Sequence, residues 1–233
     1  MKDEVKLQET CLLIKPSRRG LLLLILCFAA VGFSQGYLVH HYTESNGLPN
    51  SVVFDIAQDK QGRIWFATQG GIAVYDGVYW KHFSVSEGLP VTSFFKIQVD
   101  RQDRVWALSE PGQQGLYVVY YEGEKWHELP PLPVKTDSEH QVTAFALMAN
   151  RPPLPPQQDK APAVTLAVGM TNLGLLVWEG SAWEQYTPRE GVMGSRINGL
   201  VALEGEWLAA TDQGLAGLRI RPHHPLEVDR SWD

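Results

Sequence analysis

A pattern that returns after 41 residues is the strongest constraint on how this chain can fold. Its first copy runs from Gly47-Leu48-Pro49 through Asp59-Lys60-Gln61-Gly62 and Ile64-Trp65 to Gly71 and Tyr75-Asp76-Gly77. Its second copy starts at Gly88-Leu89-Pro90 and passes Asp100 and Val105-Trp106 to Gly115. A period near 40 residues with one tryptophan per copy marks a unit that cannot bury its apolar face alone and must stack on neighbours. The chain is therefore read as a repeat array, and a single irregular core is set aside.

The interior of the first copy reads as strands. Residues 52–58 alternate apolar and polar side chains, with Val52, Phe54 and Ile56 expected on one side and Asp55 and Gln58 on the other. Asp59-Lys60-Gln61-Gly62 supplies a hairpin turn with a glycine available for positive φ. Residues 63–68 form the next strand and carry Trp65, Gln69-Gly70-Gly71 turns again, and 72–75 is a third strand. Asp76-Gly77 turns into a fourth strand at 79–83. Four antiparallel strands in about 37 residues, joined by tight turns, make one propeller blade.

The second copy repeats this with strands at 93–99, 104–108, 116–120 and 125–129, and Trp126 stands where the first has Trp80. A third copy is eroded but legible, with strands at 141–148, 165–169, 175–178 and 183–186. A proline-rich insertion at 150–158 replaces its first tight turn, and four prolines there favour an extended surface loop. Shifting the first copy by 103 residues sets Thr68 on Thr171, Gly71 on Gly174, Gly77 on Gly180, Trp80 on Trp183 and Phe83 on Tyr186. A fourth copy opens on Gly191-Val192-Met193, with strands at 196–203, 207–211 and 215–220, Thr211 and Gly214 at the repeat places, and a fourth strand at 226–232. The expected fold class is all-β, a propeller of about four four-stranded blades at roughly 47–86, 88–130, 140–187 and 191–232. Residues 37–43 align with the end of the first copy, His41-Tyr42 on His82-Phe83, and are expected to form a lone outer strand. Either that strand closes a four-bladed ring, or the chain is the first part of a larger propeller. Because repeat arrays need capped or closed ends, the partial propeller is favoured.

The first 35 residues read as an address. Lys15, Arg18 and Arg19 precede an apolar run at 21–33, and the small residues Ala29, Ala30, Gly32 and Ser34 follow or close it. At 1.5 Å per residue that run spans roughly 20 Å as a helix, short of a hydrocarbon core of about 30 Å. A signal peptide cut near Ser34 or Gln35 fits best, with an uncleaved N-terminal anchor as the alternative. Export to the periplasm or cell exterior follows, and residues 36–233 are the propeller region. Both cysteines, Cys11 and Cys27, lie in the address, so the repeat region has neither a disulfide nor a cysteine metal site. The whole chain has 20 Lys and Arg against 26 Asp and Glu, a formal charge of −6, and the region beyond residue 35 is more acidic still. That balance argues against nucleic acid and anionic membrane surfaces as partners.

The run from Gly47 to Phe83 resembles a two-component regulator propeller repeat. The resemblance rests on Gly47-Leu48-Pro49, Asp59 and Gly62, Ile64-Trp65, Ala67-Thr68, Gly71-Ile72 and Tyr75-Asp76-Gly77. The second copy lacks the glycine after Asp100 and the Tyr-Asp-Gly; the third and fourth are recognised mainly by register. Such a resemblance implies a periplasmic sensor propeller that takes carbohydrate or another small extracellular ligand. It also implies a downstream signalling domain or kinase, none of which is legible after Ile220. Self-association into a homodimer stays open.

No catalytic residue, metal or cofactor emerges. Asp59 in its hairpin is read as capping backbone N–H groups, since calcium wants six to eight oxygens. Trp65 and Trp106 are read as packing between blades, with Gly71, Gly115, Gly174 and Gly214 as turn glycines. His40-His41 and His223-His224 lack partners at fixed spacing, and adjacent strand residues point to opposite faces. No Gly-x-Ser-x-Gly or phosphate loop is present. The candidate ligand residues are Gln69, Gln113, Asn172 and Gln213, amides at corresponding turns between second and third strands. A non-enzymatic sensor or binding propeller is the leading reading; a secreted propeller enzyme acting on polysaccharide and a protein-interaction propeller are the alternatives.

Overall fold

The computed structural model describes residues 39–111, 115–134, 141–148, 165–180, 182–187, 196–203, 206–219 and 227–232. The chain divides into two compact units, Met1–His41 and Tyr42–Asp233, and all the strands lie in the second. They form four antiparallel sheets of four strands, the blades of a β-propeller. Blade 1 contains β1 (Val53–Gln58), β2 (Ile64–Thr68), β3 (Gly71–Tyr75) and β4 (Trp80–Phe83). Blade 2 contains β5 (Phe94–Val99), β6 (Val105–Ser109), β7 (Val118–Glu122) and β8 (Lys125–Glu128). Blade 3 contains β9 (Val142–Met148), β10 (Thr165–Met170), β11 (Gly174–Glu179) and β12 (Trp183–Tyr186). Blade 4 contains β13 (Ile197–Ala202), β14 (Trp207–Thr211), β15 (Gly214–Arg219) and β16 (Glu227–Trp232). In each sheet the strands pair in sequence order, as tight turns between consecutive strands require.

The first strands of the blades pack in succession, β1 on β5, β5 on β9 and β9 on β13. Three hydrophobic cores join the four sheets, one at each step. Trp65, Ala67, Ile72, Val74 and Phe83 of blade 1 meet Phe94, Ile97, Val105, Ala107 and Val119 of blade 2. Trp106, Leu108, Val118 and Tyr120 of blade 2 meet Phe145, Leu166, Val168, Leu176 and Trp178 of blade 3. Ala146, Ala167, Leu175 and Val177 of blade 3 meet Ile197, Trp207, Ala209 and Leu218 of blade 4. Trp65 and Trp106 are fully buried in these cores. The Trp65 ring lies 5.3 Å from Tyr121, and Phe83 meets Trp126 edge-on at 5.5 Å, contacts that favour offset and T-shaped geometry.

The Gly-Leu-Pro motif is the exit of a short 3-10 turn. Ser84 accepts from Ser86 N while Glu87 accepts from Ser84 N, closing a capping box over Val85–Glu87. Gly88 then leaves in the left-handed region at φ 98°, and Leu89 drops into the core between blades 1 and 2. The Asp-x-x-Gly turn is held by its aspartate. Asp59 is buried and accepts from Gln61 N, Arg63 N, Arg63 Nε and Trp65 Nε1 at 2.6–3.1 Å. Asp100 repeats all four bonds with Gln102 N, Arg104 N, Arg104 Nε and Trp106 Nε1. Burial pushes the Asp59 carboxyl up, but the Trp65 and Arg63 donors outweigh it and hold the group below the ordinary aspartate value.

Three expectations need correction. The described residues 39–43 form no strand, and blade 4 takes its outer strand from Glu227–Trp232. The alignment of Tyr42 with Phe83 nonetheless has a physical counterpart: Tyr42 lies 5.6 Å from Tyr75 and 5.7 Å from Trp80, as Phe83 lies on Tyr121 and Trp126. Val52, just before β1, and Phe54 and Ile56 within it are exposed, while Asp55 and Ala57 turn toward blade 2. Strand parity puts Gln58 on the side of Ile56, not with Asp55. Third, Met170 and not Thr171 pairs with Gly174, so Thr171 begins a turn one residue longer than the one in blade 1.

Candidate functional site

Consecutive hairpins place the turns from second to third strand at one end of every blade, together with the Gly-Leu-Pro connections. The Asp59 and Asp100 turns lie at the other end. In blade 1 the two connections touch, since a β-carbon on Gly70 would fall 2.8 Å from the Pro49 carbonyl oxygen. The turns themselves are built by a hydroxyl. Thr68 Oγ1 donates to the Gly71 carbonyl and accepts from Gly70 N; Thr211 Oγ1 donates to the Gly214 carbonyl and accepts from Gln213 N. Gly71, Gly115, Gly174 and Gly214 all follow at positive φ, between 79° and 124°.

Gln69, Asn172 and Gln213 stand on these turns, and all three are exposed. Gln113 lies outside the described residues, as do the insertion at 150–158, Gly191-Val192-Met193 and His223-His224. The three amides are not equivalent positions. Gln69 is the first residue of a two-residue turn, Gln213 the second, and Asn172 is the middle of three at φ 60°. The true counterparts of Gln69 are fixed by a backbone bond to the residue before or at the start of the inner strand. Gln69 N donates to the Val52 carbonyl, Glu110 N to Ser93, Thr171 N to Gln141 and Asp212 N to Arg196.

Glu110 and Asp212 therefore stand at the position of Gln69, an equivalence that the sequence comparison did not show. Glu110 also accepts from Ser93 Oγ, and Asp212 Oδ1 accepts from Arg196 N. Their signal was local: each directly follows the hydroxyl residue that ends the second strand, Ser109-Glu110 and Thr211-Asp212, as Gln69 follows Thr68. A row of side-chain carboxylates and amides with hydroxyl and backbone partners can accept and donate hydrogen bonds to a polyhydroxylated ligand. Among the described residues no three His, Cys, Asp or Glu side chains converge as a metal site.

Two grooves open at the opposite end of the blades. One of about 540 Å³ runs along β1 and β5 past Gln58, Lys60, Asp100 and Arg101. The other, about 490 Å³, lies between blades 1 and 2 under Arg63, Lys81, Arg104 and Glu122. Arg63 and Arg104 are committed there to Asp59 and Asp100. The Asp103 carboxylate ties the two turns, accepting from Lys60 N at 2.8 Å and Gln61 Nε2 at 2.6 Å. No helix among the described residues is long and apolar enough to cross a membrane.

Residues 47–70, which include β1 and β2 of the first blade, match the two component regulator propeller family. No curated protein matches the chain. Among solved structures it is similar to the extracellular domain of a candidate hybrid two component system from B. thetaiotaomicron. The identity is 18%, the TM-score 0.54, and the match covers 82% of this chain and 24% of that one. It is similar at 20% identity and TM-score 0.50 to the extracellular domain of a candidate one component system from the same organism, over 76% and 22% of the two chains. It also resembles PorZ, a surface component of the type-IX secretion system of Porphyromonas gingivalis. There the identity is 13% and the TM-score 0.52, over 85% of this chain and 30% of that one. At these identities the likeness is one of fold. The chain spans about a quarter of the length of these solved chains.

Proposed function

We propose that this chain is an exported, non-enzymatic sensor propeller that forms part of the input region of a two-component regulator. The observation that carries the reading is the two component regulator propeller repeat at residues 47–70, seated as the first of four stacked blades. The ligand is carbohydrate or another small extracellular compound, held at the end of the blades where Gln69, Asn172 and Gln213 stand; Gln113 joins them on the sequence reading alone. Binding across several turns makes the ligand a bridge between blades, so occupancy changes how blades pack and passes to a downstream signalling domain or kinase. Residues 1–35 are the export signal or anchor, and 36–233 the propeller region.

The test is a panel of neutral and acidic oligosaccharides and polyols scored by shift of melting temperature. A ligand that stabilises the chain should lose most of its shift in Gln69→Ala and Gln213→Ala, with the ligand-free melting temperature unchanged because both side chains are exposed. Turnover of a polysaccharide by the purified chain would overturn the non-enzymatic reading.

A further inference from the structure

The first strand of every blade is bulged at the same place. Its register on the second strand shifts by one residue between Val53 and Asp55, between Phe94 and Lys96, and between Ile197 and Gly199. In blade 3 the shift falls between Gly169 and Met170, whose partners Ala144 and Val142 leave Thr143 as the extra residue. The bulged residues are thus Phe54, Phe95, Thr143 and Asn198. A bulge interrupts the ladder and re-aims a side chain, and one that recurs in all four blades belongs to the design of the fold. Its place is the end of the blades that carries Gln69. The carbonyls that receive the N–H of Gln69 and its counterparts belong to Val52, Ser93, Gln141 and Arg196, each two residues before a bulge. At 3.3 Å per residue the bulged residue lies about 7 Å along the strand from the bond that fixes the turn.

Blades 1 and 2 put an aromatic ring at the bulge. Phe94 is fully buried in the core between blades 1 and 2, whereas Phe95 leans on the core between blades 2 and 3 and stays half-buried. By the same register Phe54 stands at the blade 2 edge of β1, but uncovered: it is 39% exposed. Thr143 spends its hydroxyl proton on the fold, Oγ1 donating to the Gly169 carbonyl at 3.2 Å. What the bulges distinctively offer a ligand is therefore two phenylalanine rings on successive blades. The adjoining turns add an exposed carboxamide, Gln69, and a half-buried carboxylate, Glu110, which takes the Ser93 hydroxyl. Aromatic faces flanked by a few fixed polar groups match a sugar ring, whose faces are C–H and whose rim is hydroxyl.

We infer that Phe54 and Phe95 are specificity-determining residues of the ligand end, each a platform for one pyranose ring of a glycan that runs from blade 1 to blade 2. Rings with equatorial hydroxyls are favoured, because both of their faces carry only C–H groups. The hydroxyls at the ring edge then meet Gln69 and Glu110. The inference rests on the proposed function and narrows its ligand: an acyclic polyol carries the same hydroxyls but has no ring face to stack.

Titration calorimetry of the purified chain with cellohexaose, xylohexaose and sorbitol tests it. At least one hexaose binds and sorbitol does not, and Phe54→Leu and Phe95→Leu each weaken the hexaose by about fivefold or more. Phe54→Tyr and Phe95→Tyr keep the ring face and retain binding, which separates loss of stacking from loss of fold. Undiminished binding by both leucine variants overturns the inference; if Gln69→Ala still abolishes binding, the proposed function stands. Sorbitol binding as tightly as the hexaoses, or neither hexaose binding, also overturns the inference. The proposed function falls with it only if the whole panel of oligosaccharides and polyols fails to bind.

Discussion

Asp59 shows how much one side chain does in this repeat. It satisfies two backbone donors of a tight turn, orients Arg63 and pairs the indole N–H of a tryptophan buried between blades. Asp59→Asn replaces one acceptor oxygen with a donor facing other donors, and should cost about 2–3 kcal/mol by urea unfolding. The acid limb gives a second check. The folded-state pKa lies below the ordinary value, so the stabilisation is complete above the unfolded aspartate pKa and is lost as pH falls through the depressed folded value. The difference in urea midpoint between wild type and Asp59→Asn should therefore shrink in acid. This turn was legible from sequence because all its partners lie within six residues. Asp103 was not. It stands in the place of Gly62, at φ 68°, and looked like a lost repeat glycine. Its carboxylate instead latches the turn of blade 1, with partners 42 and 43 residues away. Asp103→Ala keeps the strained backbone and loses the latch; an unfolding cost of about 1–2 kcal/mol is expected, and Asp103→Asn should recover part of it.

At the scale of strands and turns, glycines separate two physical demands. Gly71 and Gly77 both have positive φ. A β-carbon at Gly71 would lie 2.3 Å from the Phe83 carbonyl oxygen, while one at Gly77 would meet nothing within 4 Å. Gly77→Ala should cost about 1 kcal/mol from backbone strain alone. Gly71→Ala adds a clash with the neighbouring strand and should cost at least about 3 kcal/mol, both read from denaturant midpoints at constant slope. Strand existence followed from sequence, and the observed strands fall within a residue or two of most expected limits. Which face of β1 is covered did not follow. Alternation alone would set Phe54 with Ile56, but a bulge between Val53 and Asp55 interrupts it, and the side that blade 2 covers carries Asp55 and Ala57. That choice belongs to the neighbouring blade, which offers Ile97 N to the Asp55 carboxylate at 3.1 Å.

For the whole molecule, three interblade cores hold four blades, and stability in such arrays is a sum over neighbours. Native-state hydrogen exchange should show β6 and β10, each in a blade packed on both faces, protected more strongly than β2 and β14 of the end blades. Equal protection in all four would mean the end faces are covered in solution. The sequence by itself determined the repeat length, the four four-stranded blades and the interblade place of Trp65 and Trp106, but not that of Trp178 and Trp207. What it determined is encoded by spacing within about forty residues, which hairpin chemistry reads locally. The candidate ligand turns were located from sequence, yet their equivalent residues were not: a turn one residue longer in blade 3 shifts the comparison, and only backbone pairing shows that Gln69 matches Glu110, Thr171 and Asp212. Tertiary structure alone decided which side of each inner strand is covered, because burial on a blade depends on a neighbour that local sequence spacing does not specify.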